Sequence, residues 1–487
     1  MVSPVVAIPG LDLSFGKYVV FRVLVELAAA LVVAGWALGE SRLVSRARSI
    51  GRHPVVLAVA ALTAVWLLSA AFAFDSRVAF WSTYSRGEGA FQIAHYAAFL
   101  FLTVLVFRER RDWQLAFVMS LAAAFVSIVY GLLWPAGVPT SVFPQDLPIP
   151  DASGFWGRLM GHRFVGSIGN PIWAAAYFVF QLGYSGCLLV ARRGGRVAAA
   201  SMGAGVLAAG VCYAAAAFGV AQGNALVVPG AAVVVAGLAW LVWKRRVPLS
   251  GFATAGVLFL AFLLAGSRGA TIGLVGVGIG ALLIYAGWRQ RLAGVALCVA
   301  ASISVFAAGP IGSSQGRPGL DLTSADYRVR YWRTAWEGFL ERPVLGWGPE
   351  NFTAIHDRKA EVLWWVDHAH SIVFDTLAST GVLGALAMSG VFVACGWVLY
   401  RAIRDAKGRG VQSGIVASLL VFYLVQGLFT FDWLPVSVNL YFTLALLVGL
   451  TLLAAISIQR PGDWSQDRLM LSTIINLERL EMMNANS

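Results

Sequence analysis

The feature that most constrains this chain is a repeated one: thirteen apolar runs follow one another with only short polar connections between most of them. At 1.5 Å of rise per residue, a helix of roughly 18–25 residues crosses about 30 Å of hydrocarbon. Backbone in lipid has to satisfy its hydrogen bonds internally, which leaves helices or closed barrels, and runs of this length select helices. Composition agrees: 59% of the 487 residues are hydrophobic, 12% are charged, and mean hydropathy is +0.75. That is too little polar material to solvate a water-soluble protein of this size. The expected fold class is an all-α membrane protein, a polytopic bundle of about 12–13 transmembrane helices.

The runs extend from Tyr18 to Leu38, Pro54 to Phe74, Ala90 to Phe107, Gln114 to Trp134, Pro171 to Ala191, Val197 to Gly219 and Ala225 to Trp243. They continue over Leu249 to Gly266, Thr271 to Trp288, Leu292 to Gly309, Ile372 to Tyr400, Val411 to Phe431 and Val438 to Ser457. Residues 1–460 read as one membrane domain with a large loop over 310–371, and 461–487 as a polar tail. Met1 to Gly16 lacks a basic leader pattern, so insertion by the first helices themselves is expected. Cys187, Cys212, Cys298 and Cys395 lie inside apolar runs without paired spacing and read as small buried hydrophobes.

A net charge of +12 raises the question of a nucleic-acid partner, but the basic residues are punctuation between spans. Every second connection is basic: Arg42 to Arg52, Arg108 to Arg111, Arg192 to Arg196, Lys244 to Arg246, Arg289 to Arg291, and Arg401 to Arg409. The positive-inside rule makes these cytoplasmic and puts the long connections 75–89, 135–170 and 310–371 on the outer face. No nucleic-acid partner is expected; membrane lipids are. Loops of that length usually carry function. The largest is expected to hold a helix from Ser324 to Glu341, capped by Ser324 with Asp326 in its first turn.

No phosphate-binding loop, dinucleotide fingerprint or serine-nucleophile elbow occurs. The informative feature is a set of outer-face arginines with few carboxylates, suited to a multiply negative ligand. Arg268, in Gly266-Ser267-Arg268-Gly269, falls in a very tight connection between two spans, either as a snorkelling anchor or as an anion ligand. Arg328, Arg330 and Arg333 share the loop helix but not one stripe; a face turned to solvent or headgroups is the alternative to diphosphate binding. His368 and His370 beside Asp367 lack a third ligand at metal spacing, so a general base suits His370 better than a metal site. Arg22 and Glu26, four apart in the first span, are expected to neutralise each other.

Two segments in sequence, Tyr327 to Phe352 (YRVRYWRTAWEGFLERPVLGWGPENF) and His370 to Gly384 (HSIVFDTLASTGVLG), resemble the core of the O-antigen ligase and polymerase superfamily. So do WSTYSRGEG at Trp81 to Gly89, HRFVGSIGNP at His162 to Pro171, SRGA at Ser267 to Ala270 and FTFDWLP at Phe429 to Pro435. Together they are similar to a branch whose members often carry C-terminal TPR repeats. The resemblance implies a GT-C-like bundle in the bacterial inner membrane with its active face periplasmic. It implies transfer of a glycan from an undecaprenyl-diphosphate-linked donor to a glycan or lipid acceptor, such as lipid A-core, with no metal and no cofactor. Carried over, it makes His370 catalytic and assigns Arg268 and Arg328 to the donor diphosphate; Arg330 and Arg333 are grouped with them. Arg86, Glu88, Arg163, Asn170, His368 and Asp432 are accessory candidates; His368 stands where relatives often carry arginine. An O-antigen polymerase and a protein O-oligosaccharyltransferase share the motifs and differ in acceptor. A solute or bicarbonate transporter is the alternative of another class, disfavoured because the polar residues gather at one edge and not at the bilayer midplane.

Overall fold

The computed structural model describes residues 13–84, 86–133, 135–136, 163–222, 227–244, 248–285, 323–359, 366–404 and 410–459. These residues form helices without a strand: α1 (Leu13–Ala37), α2 (Ser41–Gly51), α3 (Pro54–Ala71), α4 (Ser76–Trp81), α5 (Ala90–Val106) and α6 (Arg110–Leu133). They are followed by α7 (Pro171–Arg193), α8 (Gly195–Gln222), α9 (Val227–Lys244), α10 (Leu249–Ala265) and α11 (Arg268–Tyr285). The last are α12 (Thr323–Glu341), α13 (Phe352–Lys359), α14 (Ile372–Arg404), α15 (Gly410–Gly427) and α16 (Leu434–Gln459). Seven are long and apolar enough to cross a membrane, and shorter apolar helices accompany them. The chain is an all-α polytopic membrane protein. The run from Leu292 to Gly309, Cys298 and the tail 461–487 lie outside the described residues.

Burial divides the spans. The apolar stretch of α16 is 89% buried and that of α7 67%, against 11% for α1, so α7 and α16 form the centre and α1 faces lipid. Packing in lipid gains little from apolar contact alone, and polar side chains act as glue between helices. Here Ser120 donates to Gln181 (2.7 Å), Gln181 to Asn439 (3.1 Å) and the Tyr184 hydroxyl to the Asn439 carbonyl (2.9 Å), tying α6, α7 and α16 together. The expected Arg22–Glu26 pair does not form. Arg22 donates instead to Gln92 and to the Gly87 carbonyl, both at 2.7 Å, and Glu26 meets His95 at 3.1 Å, because α5 and the turn just ahead of it supply partners to both groups.

The alternation of connections is physical. At one end of the bundle the basic connections meet: Arg46 of α2 caps the final carbonyls of α5, Val104 and Phe107, at 2.8 and 2.7 Å, and Arg108 pairs with Glu40 at 3.2 Å. A cation on the carbonyl end of a helix satisfies its last acceptors and complements its dipole. At the other end meet the connection from α3 to α5, residues 163–170, the Gly266–Arg268 turn, the segments around α12 and α13, and the connection from α15 to α16. The last eight residues before α7 are pinned there, with Phe164 N–H donating to the Leu264 carbonyl (3.0 Å) and Lys17 to the Ser167 carbonyl (2.6 Å).

Candidate active site

The site is built on a broken helix. Inside α14, Gly381 is left-handed (φ 64°), and the backbone after α12 fills the gap this opens. Trp347 and Gly348 N–H groups donate to the Ala378 and Ser379 carbonyls (2.9 and 2.8 Å), while Val382 and Leu383 N–H groups donate to Pro343 and Val344 (2.8 and 3.3 Å). Ser69 of α3 closes the joint, its hydroxyl lying 2.7 Å from the Leu345 carbonyl and 2.8 Å from that of Ser379. A Cβ on Gly381 would strike the Val344 backbone and one on Gly384 the Thr380 side chain. Gly381 is thus the docking point for the segment after α12, Gly384 leaves room for Thr380 of its own helix, and the irregular backbone is tolerated because protein covers it.

Ahead of α14 the His368-Ala369-His370-Ser371 turn folds back on Asp375. Its carboxylate accepts the Ala369 N–H at 2.6 Å and the Ser371 N–H at 3.4 Å. His368 lies 3.6 Å from both Asp375 Oδ1 and Glu350 Oε1, and stacks on Phe431 at 4.3 Å. Burial pulls its pKa down, but the hydrogen bond to Asp375 and the charges of Glu350, Asp375 and Asp367 outweigh that and raise it to about 9. His370 sits between Tyr331 of α12 (5.7 Å, stacked) and Phe431 (5.0 Å, edge-on). Burial lowers its pKa to about 4; Asp375 opposes this, while His368 and Arg328 reinforce it. One imidazole is held charged and the other neutral two residues away.

The arginines gather on the α12 side. Arg328 and Tyr331 are three apart and share a helix face, which carries Arg328 toward His370. Burial lowers the Arg328 pKa and Arg268 lowers it further; Arg163 falls to about 10 by burial and by the charges of Arg268 and Arg328. Arg163 also donates to the carbonyls of Ala265 and Gly266 (3.1 and 3.2 Å), the end of α10. Among the described residues none of Arg163, Arg268 and Arg328 has a carboxylate partner. Arg330 and Arg333 are not brought into this group: both are exposed, and Arg333 pairs with Glu337 at 3.1 Å.

The remaining candidates divide. Arg86 pairs with Asp367 and lies over the Phe431 ring at 5.0 Å. Glu88 is buried and accepts hydrogen bonds from the Tyr18 and Tyr96 hydroxyls; burial pushes its pKa up to about 8 against those bonds, with Glu350 and Asp432 adding repulsion. Asp432, bonded to Tyr423, is pushed up by burial to about 6. Both line a cavity of about 110 Å³ with Glu350, His368 and Asp375, and the far end is apolar, at Val59, Leu62, Val391 and Leu444. Asn170 caps α7, accepting the Ile172 N–H at 2.8 Å ahead of Pro171, and has a structural role there.

Sequence reasoning did not single out Glu350, Asp375 or Phe431 as site residues. Asp375 had a readable signal, an acid in the first turn of a helix just after a histidine pair; Phe431 is found only by folding.

Residues 253–389 match the family model described as O-antigen ligase. This match supports assignment to the O-antigen ligase superfamily and a membrane glycan ligase or polymerase type of function, with a lipid-linked glycan donor and an acceptor. The matched stretch contains Arg268, Arg328, His368, His370, Asp375 and both glycines of the broken helix, while Arg86, Glu88, Arg163 and Asp432 lie outside it. A search of curated proteins found no match to the chain.

Proposed function

We propose that this chain, with its O-antigen ligase region, is an inner-membrane enzyme that transfers a glycan from an undecaprenyl-diphosphate-linked donor to an acceptor hydroxyl on the periplasmic face. One observation carries the reading. Half-buried Arg163, Arg268 and Arg328 lie within one another's electrostatic reach without a carboxylate partner among the described residues, and Arg328 acts in turn on the neutral imidazole of His370. Clustered cations left unpaired suit an anion supplied by a ligand, and a diphosphate offers forked acceptors to several guanidinium groups.

The chemistry follows from where the charge moves. The acceptor oxygen attacks the anomeric carbon, its proton passes to a ring nitrogen of His370, the bond from that carbon to the diphosphate oxygen breaks, and undecaprenyl diphosphate departs. Diphosphate is already a good leaving group, so the arginines stabilise the charge that builds on it. The acceptor hydroxyl is a poor nucleophile and gains from a base. No step requires a metal.

The test is a deletion strain. A ligase leaves full-length glycan on the lipid carrier and none on the acceptor, whereas a polymerase leaves short chains attached to it. Membranes of that strain then hold both donor and acceptor, and the purified chain should restore transfer. His370→Ala should lose about 10²- to 10⁴-fold in turnover while still binding donor. Near-normal turnover in that variant would remove the base, and a rate abolished by chelator and restored by a divalent metal would replace it with metal chemistry.

A further inference from the structure

Three non-glycine residues among those described have left-handed backbone: Ser82 (φ 67°), Glu350 (φ 60°) and His370 (φ 56°). They belong to three connections far apart in sequence, yet one chain of contacts joins them. The Ser82 hydroxyl donates to Glu350 Oε2 at 2.9 Å, Glu350 Oε1 lies 3.6 Å from His368 Nε2, and His368 Nδ1 lies 3.6 Å from Asp375 Oδ1. Asp375 in turn accepts the peptide N–H groups on either side of His370, and its own N–H donates to the Ser371 carbonyl at 2.8 Å. Side chains disfavour this backbone region, so it persists where the surroundings over-determine it, and such positions cluster at functional sites. An ordinary cap satisfies the first N–H groups of its own helix. Asp375 reaches back beyond the helix start to Ala369.

We propose that Asp375 is a positioning residue for His370: its carboxylate holds the N–H groups of the residues on either side, Ala369 and Ser371, so that the left-handed turn holds the imidazole between Tyr331 and Phe431. Glu350 and His368 anchor the same carboxylate to the connection between α12 and α13, and Ser82 ties that connection to the one between α4 and α5. The inference rests on His370 as the base. Asp375 touches neither donor nor acceptor and acts through the imidazole. Asparagine keeps one acceptor but turns an N–H₂ toward the Ser371 N–H or the Ala369 N–H, which loosens the turn without removing bulk.

The experiment is a double-mutant cycle in the transfer assay above, with Asp375→Asn, His370→Ala and the pair together. Loss of placement by about 1 Å can cost on the order of 100-fold. Asp375→Asn should therefore lower kcat by about 10- to 100-fold with donor KM within about twofold, and should cost nothing further once His370 is alanine. Asp375→Glu, which keeps the charge and alters the reach, should not restore the rate. An equal loss with and without His370 would make Asp375 merely structural and overturn the proposal while the base assignment stands. Near-normal turnover of His370→Ala alone would remove the base, and the proposal with it. If Asp375→Asn does not accumulate, the same cycle with Glu350→Gln decides: a loss that vanishes in the His370→Ala background supports the positioning chain, and an additive loss overturns it.

Discussion

Two arginines on one helix should behave in opposite ways, and the reason is angular. At about 100° per residue, Arg328 lies about 60° around α12 from Tyr331, the ring that meets His370, whereas Arg330 lies about 100° from that ring and about 160° from Arg328. Arg328 is held against Arg268 with no carboxylate among the described residues to balance it, and Arg330 is exposed. In Arg328→Met the aliphatic bulk is kept and the charge is lost. A hydrogen bond to a charged group contributes about 1.5–3 kcal/mol, so donor binding should weaken by about 10- to 150-fold. Arg330→Met loses a solvated charge and should change donor binding by less than about twofold.

Stability should move the other way. Removing one of three crowded cations relieves repulsion, so Arg328→Met without donor should melt no lower than the wild type. Donor should raise the melting temperature of the wild type through mass action and do so far less in the variant. The assay is a melt in lipid nanodiscs across a donor titration, beside the donor KM. The reasoning fails if Arg330→Met weakens the donor as much as Arg328→Met, or if Arg328→Met unfolds the empty protein and leaves the donor KM unchanged.

The broken helix gives a prediction about stability. Gly381→Ala forces a side chain into φ 64° and against the Val344 backbone, which endangers four interstrand-like bonds worth about 1 kcal/mol each. It should lower the melting temperature by several degrees, an outcome that an unchanged melt with full activity would contradict. For pH, His370 is neutral above about 4, so the acid limb of kcat/KM should fall below pH 5 and not near the ordinary imidazole value of about 6.5. His368 has its folded pKa raised to about 9, so its stabilising charge is fully present below about 6.5 and is lost as pH rises through 9. Melting temperature and rate should both decline above pH 8.5, and His368→Gln should remove that decline from the melt; an acid limb at 6.5 would contradict the neutral His370.

The membrane helices were legible because a span is a local property. An apolar run between Pro54 and Phe74 encodes a helix without reference to any partner, and α3 occupies Pro54–Ala71. Where a partner decides, local reading failed. Arg22 and Glu26 have the spacing of a pair, but Gln92, the Gly87 carbonyl and His95 offered both groups better geometry across α1 and α5. The basic connection after α1 reads as a charged loop, whereas Ser41–Gly51 is a helix that buries Leu43 and Ile50 and sets Arg46 as a cap on the end of α5.

The site lies between these cases, which is why its chemistry could be read and its mechanics could not. Arg268, Arg328 and His370 are separated by long stretches of chain, and residue type alone suggests anion and base. What brings Arg328 and His370 together is the docking of Pro343–Gly348 into the break at Gly381, a contact in which the segment after α12 has no regular pattern of its own. The same joint orders the other residues. Glu350 follows the docked segment directly, so fixing Gly348 on Ser379 fixes Glu350 within reach of His368, and through Asp375 the turn at His370. A disturbance at Gly381 should therefore reach His370 through backbone bonds, although the two residues share no direct contact, and the Gly381→Ala variant should lose turnover before it loses the bundle. The packed helices α7 and α16 would stay folded while the segment after α12 lifts, because their polar contacts at Gln181, Tyr184 and Asn439 involve no residue of the joint. Transfer measured at temperatures well below the melt separates these two losses: a rate that falls only in step with global unfolding would mean that the joint supports the fold and not the base.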